Sequence, residues 1–305
     1  WIDDETHYLP FFQAFLRGIV FFTNLQKGIK IVIDGSQTGK DTATLMISIV
    51  WRNRGIPICW LVKKGSKGHF KAEDHEQLLE KVIHILSTIL PKGIDITVLG
   101  DGEFEGIGLQ KLCLNATNTT SLTWNYVFRT ACNTYLYEKQ EEFQARDILP
   151  NYKNKQDAFF IPQVEFTKEQ FKYVNFVCWH NKKKHEEPIY LISNLMDCGE
   201  IIEGYKMRYS IECLFKDLKS TSFNLHKTRL KEPEKVHRLI IVAALAFLLL
   251  TVLAWDFDTE KYHKKVARYR KDAKVVSFFS FAYKLVDYLL DYQIPFNFSF
   301  QFSKN

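Results

Sequence analysis

The sequence has no Cys-x-x-Cys pair. Its six cysteines, at 59, 113, 132, 178, 198 and 213, stand apart from one another and from any histidine cluster. That excludes a structural zinc site or a disulfide framework, and it reads as buried, reduced thiols. Glycine (14) and proline (8) are scarce among 305 residues, which excludes collagen and low-complexity disorder. Neither sign of charge dominates. Forty-one Lys and Arg against 35 Asp and Glu leave +6, a mild lean toward an anionic partner. No basic-then-apolar signal segment opens the chain, which begins Trp-Ile-Asp-Asp without a Met. Residues 1–27 are read as the remnant of an N-terminal region. One uncharged run, Leu239 to Trp255, holds seventeen residues. As a helix it would span about 25 Å, short of the roughly 30 Å of a hydrocarbon core, so it is predicted to be a buried core helix with no membrane involved.

What is present is ordinary globular material. Apolar residues make up 46% and aromatics 15%, with 25 Phe, enough for a large core in about two domains. Residues 28–34, 43–51 and 56–63 read as three strands joined by short turns, the first ending at an Asp-Gly turn. Residues 72–90 carry helical spacing closed by Pro91, and 94–100 form a fourth strand ending at Asp101. A short helix is expected over 104–113, and a fifth strand over 124–129. Residues 131–187 alternate short apolar pieces with Lys-, Asn- and Gln-rich turns and read as a β-rich insertion. A core strand returns at 188–195. Helices follow over 199–220 and 232–255, then a tail with a basic helix, an aromatic helix and a Phe-rich end. The order predicts an α/β, RNase H-like mixed sheet flanked by helices, with the insertion between the fourth-strand Asp and a later helix. The division is 28–130 and 188–255 as core, 131–187 as insertion, and 256–305 as helical tail.

Asp34 and Asp101 each close an apolar strand, and sites in open α/β sheets form at the carboxyl ends of strands. Each could equally begin a turn, since Asp-Gly is a common turn pair. At roughly 100° per residue, Tyr205, Arg208, Glu212 and Lys219 share one helical arc of about 60°, and Met207, Ile211, Leu214, Phe215 and Leu218 lie mostly opposite. A solvated face with ordinary ion pairs gives the same stripe.

Tyr205-x2-Arg208-x3-Glu212-x6-Lys219 resembles the Y-(2)-R-(3)-E-(6)-K signature of insertion-sequence DDE transposases of the cut-and-paste type. The likeness spans roughly residues 28–255. It implies that Asp34, Asp101 and Glu212 are the catalytic triad and ligands of two Mg²⁺, with Mn²⁺ a substitute. It also implies that Tyr205, Arg208 and Lys219 contact DNA near the element's end. The chemistry suits those residue types. Carboxylates are hard oxygen ligands for Mg²⁺, Arg grips phosphate bidentately, and Lys offers a point charge. The stretch 203–238 holds nine Lys and Arg against five Asp and Glu. The second motif departs from the family's common Asp-Arg-Gly-Phe, reading Asp101-Gly102-Glu103-Phe104. Where hairpin-forming relatives carry a Trp, this chain has Ile189 followed by Tyr190, whose ring is the aromatic available to stack a flipped base. The resemblance further implies end cleavage, joining of the 3′-hydroxyl to target DNA, a homodimer on paired ends, and a bacterial cytoplasm. A catalytically inactive, transposase-derived DNA-binding protein is the alternative.

Three other features resemble functional motifs. Gly35 to Thr42 looks like a phosphate loop but has three residues between its glycines and an Asp after Lys40, so it reads as a turn. Glu103 and Glu105 read as surface carboxylates. Trp179-His180 with Lys182 to His185 is either a DNA-backbone contact or a solvated turn.

Overall fold

A computed structural model describes residues 8–23, 28–65, 70–221, 223–256, 262, 266 and 278–295. Contacts divide the chain into two compact units, Trp1–Gln37 with Ala43–Leu214, and Thr38–Thr42 with Phe215–Asn305.

The first unit is built on strands β1 (Ile29–Gly39), β2 (Thr42–Trp51), β3 (Arg54–Lys64), β4 (Asp95–Gly100), β5 (Thr123–Thr130), β6 (Tyr135–Glu138), β7 (Glu141–Gln144), β8 (Ala158–Phe166), β9 (Phe171–Trp179) and β10 (Ile189–Ser193). They form one sheet in the order β3-β2-β1-β4-β5-β10-β9-β8-β6-β7. Two-residue turns join β1 to β2 and β2 to β3, which only antiparallel neighbours permit. Arg52 and Asn53 both take positive φ, the twist a tight hairpin needs. β1, β4 and β5 are parallel, and β10 runs antiparallel to β5 and β9. This is the expected α/β, RNase H-like mixed sheet. The β-rich stretch after β5 extends that same sheet.

Helices α1 (Tyr8–Thr23), α2 (Ala72–Ile89) and α3 (Ile107–Thr119) cover one face; α4 (Cys198–Met207) and α5 (Tyr209–Lys216) cover the other. Strand alternation assigns the faces. Trp60 meets Phe12 of α1 edge-on at 4.9 Å, while Gly55, of opposite parity in β3, abuts the Ser210 carbonyl of α5. Gly204 of α4 lies over Lys30, Leu99 and Val127. α4 therefore crosses β1, β4 and β5, and α5 reaches β3. Asp197 caps α4, its Oδ1 accepting the Glu200 amide at 2.7 Å.

The second unit contains α6 (Pro233–Asp256) and α7 (Phe278–Asp291). Phe247 stacks on Phe279 at 4.5 Å, and Phe281, Ala282, Leu285 and Leu289 form a buried cluster with Leu250 packed against it. Gly39 at the β1–β2 tip sits so close to Val236 that a Cβ there would stand 3.2 Å from its Cγ2.

Several elements differ from the sequence reading. β1 runs through Asp34-Gly35 to Gly39, with Ser36 and Thr38 buried, so no turn falls at Asp34. α3 starts later and ends later than expected, after a 3-10 turn over Gly102–Phe104. α1 is seated against α2 and β3. α6 is buried along Ile240, Ala243, Ala244 and Phe247 but exposes Val242, Leu245 and Leu249, so it is two-faced where a fully buried helix was expected. Among the described residues, no helix is long and apolar enough to cross a membrane. Most of the tail's basic stretch and its Phe-rich end lie outside the described residues.

Candidate active site

The site grows from the pairing of β1 with β4. Their parallel register sets Val32 opposite Leu99. Asp34 follows Val32 by two residues and Asp101 follows Leu99 by two, so both carboxylates come at the same, carboxyl-terminal end of this parallel pair. Lys30 and Leu99 face α4, so by alternation Asp34 and Asp101 belong to the α4–α5 face. Asp34 is 4% exposed and accepts its neighbour Gly35 amide at 2.8 Å. Asp101 accepts the Glu103 amide at 3.0 Å, which starts the 3-10 turn. Phe104 of that turn is buried against Gly100, where any side chain would collide with it.

Tyr205, Arg208 and Glu212 arrive from the covering helices. Bonds from Arg208 N–H to the Tyr205 carbonyl and from Ile211 N–H to the Arg208 carbonyl tighten the chain where α4 gives way to α5. The expected continuous helix is therefore broken at Arg208. A π-helical turn over Asp217–Thr221 follows α5, so one helical wheel does not carry from Tyr205 to Lys219. Lys219 belongs to the second unit, where its carbonyl accepts the His226 ring N–H.

Arg208 donates to Glu212 in an ion pair, with side-chain exposures of 17% and 41%. Its guanidinium also lies 5.7 Å from the centre of the buried Tyr205 ring. Burial works against the Arg208 cation. Tyr205, Glu212 and Asp101 outweigh that penalty and raise its pKa. Arg208 thus senses both Asp101 and Glu212. Among the described residues, no three His, Cys, Asp or Glu stand grouped for a metal ion, and Glu212 is paired with Arg208.

Tyr190 corrects a sequence expectation. It lies in β10, between β5 and β9, and is buried with its ring stacked on Phe176 at 6.2 Å. Burial pushes its phenol pKa up. Tyr190 is thus buried in the sheet, with one ring face against Phe176. Glu105 also departs from its surface reading. Burial raises its pKa, against bonds from the Thr130 hydroxyl and the Ala131 amide that tie the 3-10 turn to β5.

The profile of the family described as Transposase DDE domain matches residues 20–249. The chain belongs to the DDE-domain transposases. No curated protein matches it. Among solved structures, Aquifex aeolicus Argonaute is 12% identical with a TM-score of 0.32, over 70% of this chain and 28% of that one. The catalytic domain of human endonuclease V is 11% identical with a TM-score of 0.30, over 81% and 97%. Ciona intestinalis endonuclease V, bound to an inosine-containing DNA, is 12% identical with a TM-score of 0.30, over 81% and 99%. At such scores these likenesses carry no function to the transposase. The chain spans under a third of the Argonaute it matches.

Sequence reasoning missed the cleft beside this helix pair. About 970 Å³ in volume, it is walled by Arg129, Trp179, Lys184, His185, Lys206 and Arg208 among others. Those residues converge only because β9 and β10 return beside β5, and no local sequence pattern signals that.

Proposed function

We propose that this transposase cleaves DNA at the ends of its element and joins the freed 3′-hydroxyl to target DNA by two-metal phosphoryl transfer. The observation that supports the reading is the β1–β4 register, which pairs Val32 with Leu99, each two residues before one of the two aspartates. Two carboxylates drawn to one site, one of them buried, would repel each other, and a divalent cation would relieve that repulsion. Their oxygens fit Mg²⁺ or Mn²⁺, and Glu212 completes the donor set once it leaves Arg208. When bound, such a metal pair activates the attacking hydroxyl and steadies the leaving oxygen of an in-line displacement.

The chain's own residues do the rest. Arg208, held against the Tyr205 ring, presents a planar fork to a phosphate, and a phosphate that takes this fork releases Glu212. Lys219 adds a DNA-backbone contact. The core is taken as residues 28–130 and 188–255, with 131–187 as insertion and 256–305 as tail. Two ends must be brought together, so the working form is a homodimer on DNA in a bacterial cytoplasm. The test is strand transfer of a labelled oligonucleotide, carrying the element's end and a free 3′-hydroxyl, into a plasmid with Mg²⁺ or Mn²⁺. Joined product with the wild type and none with Glu212→Gln supports the reading. Equal joining by both overturns it.

A further inference from the structure

A second cleft, about 660 Å³ in volume, opens on the outer side of Trp179. Lys155, Lys182, Lys183 and Lys206 line it, all exposed, with Asp157 and Glu203 as its acids. Trp179, Asn181 and Lys206 line both this cleft and the one that contains Arg208. The two clefts therefore adjoin, with Lys206 on the wall of both, between Arg208 in one and the lysines of the insertion in the other.

The loop that carries these lysines is built, not loose. His180 is buried at its base. Its Nε2 donates to the His185 carbonyl at 3.0 Å, which leaves Nδ1 to accept the Tyr152 hydroxyl at 2.7 Å. The Asn181 side chain accepts the Lys183 amide, and the Asn181 carbonyl accepts the amides of Lys184 and His185. Asn154 accepts the amides of Gln156 and Ala158 in the facing loop. The Lys182 ammonium lies 3.8 Å from the centre of the Tyr152 ring. Lys206 is paired with Glu203 at 2.5 Å, but an exposed pair of this kind is weak and yields to a phosphate. A turn that merely solvates its charge needs none of this bracing.

We infer that Lys155, Lys182 and Lys183, with Lys206, form a track for the DNA phosphodiester backbone that continues from Arg208 over the insertion. The inference rests on the proposed transposase reading and deepens it by placing the DNA outside the carboxylates. Each phosphate neutralised releases counterions, so each lysine lost reduces the dependence of affinity on salt.

The test is fluorescence anisotropy with a labelled duplex and, separately, a single strand, titrated between about 50 and 200 mM salt. The triple variant Lys155→Gln, Lys182→Gln, Lys183→Gln is compared with the wild type, with thermal unfolding to verify its fold. Lys92→Gln with Lys139→Gln, two exposed lysines outside this cleft, shows the effect of removing charge elsewhere on the surface. The slope of log affinity against log salt is expected to fall by about 2.7 for a duplex or about 2.1 for a single strand in the triple variant, and by less than about 0.5 in the control. A loss near the expected value with one form and none with the other identifies which form the track holds. An unchanged slope with both DNAs, while the wild type binds and Arg208→Gln weakens it, overturns this inference alone. No DNA binding by the wild type overturns both it and the reading beneath it.

Discussion

Gly55 and Gly204 make opposite predictions about how the helix pair is set on the sheet. A Cβ at Gly55 would stand 3.1 Å from the Ser210 carbonyl oxygen and 3.1 Å from Ser48 Oγ. The carbonyl is backbone of α5, two residues before Glu212, so the helix must yield by a few tenths of an ångström. Overpacking of this sort costs about 1–3 kcal/mol, offset by about 0.5 kcal/mol from a stiffer unfolded chain. Gly55→Ala should therefore lose about 0.5–2.5 kcal/mol. A Cβ at Gly204 meets Leu99 at 3.6 Å and Val127 at 3.8 Å, ordinary contacts. Replacing a mid-helix glycine with alanine gains about 0.5–1 kcal/mol, so Gly204→Ala should stabilise. Urea unfolding reads both values. Metal-dependent plasmid nicking should fall about tenfold in Gly55→Ala, since small displacements of a catalytic group cost rate steeply. A Gly55→Ala protein with wild-type stability and full nicking would refute this seating of α5, as would a Gly204→Ala protein weakened by more than about 1 kcal/mol.

Other consequences can be checked separately. Asn194 finishes β10 by accepting the Tyr126 amide at 2.9 Å and donating to the Trp124 carbonyl at 3.3 Å. Asn194→Ala should cost about 1–3 kcal/mol in urea unfolding, because a strand amide loses its acceptor. Burial lowers the His75 pKa, against the pull of Asp74 and Asp101. The unfolded chain then takes up the proton first, so stability should decline as pH falls below about 6.5, by at most about 1.4 kcal/mol per unit. His75→Phe keeps a ring against Phe104, 4.7 Å away, and should flatten that decline; an identical pH profile would count against it. Arg208→Gln should lower the salt slope of DNA binding by about 0.9, and an unchanged slope would remove Arg208 from the phosphate path.

What was legible in the sequence follows from how local each signal is. Apolar runs bounded by turns mark β2, β3, β4 and β5, and the 3.6 period marks α2, because those patterns report burial on a single element. Asp34 and Asp101 could be suspected but not paired, because the parallel β1–β4 register that brings their strand ends to one end of the sheet is a non-local fact. β1 outran its apolar run because Ser36 and Thr38 are buried polar residues in a long hairpin, and Asp34-Gly35 mimics a turn. The wheel that gathered Tyr205, Arg208, Glu212 and Lys219 assumed one regular helix. The tightened turn at Arg208 and the π turn after α5 break that assumption. Tyr190 looked available beside Ile189, but it lies on an interior strand, buried, with its ring stacked on Phe176, diagonal to it on β9.

The central claim is that Asp34, Asp101 and Glu212 act as one metal-dependent site, and nicking of a supercoiled plasmid carrying the element's ends tests it most directly. Wild type, Asp34→Asn, Asp101→Asn and Glu212→Gln would be compared with Mg²⁺, with Mn²⁺ and with EDTA. The account predicts metal-dependent cutting by the wild type and a loss of at least about a hundredfold in each variant, with DNA binding retained. Cutting that persists in any one of the three variants, or that survives EDTA in the wild type, would contradict it.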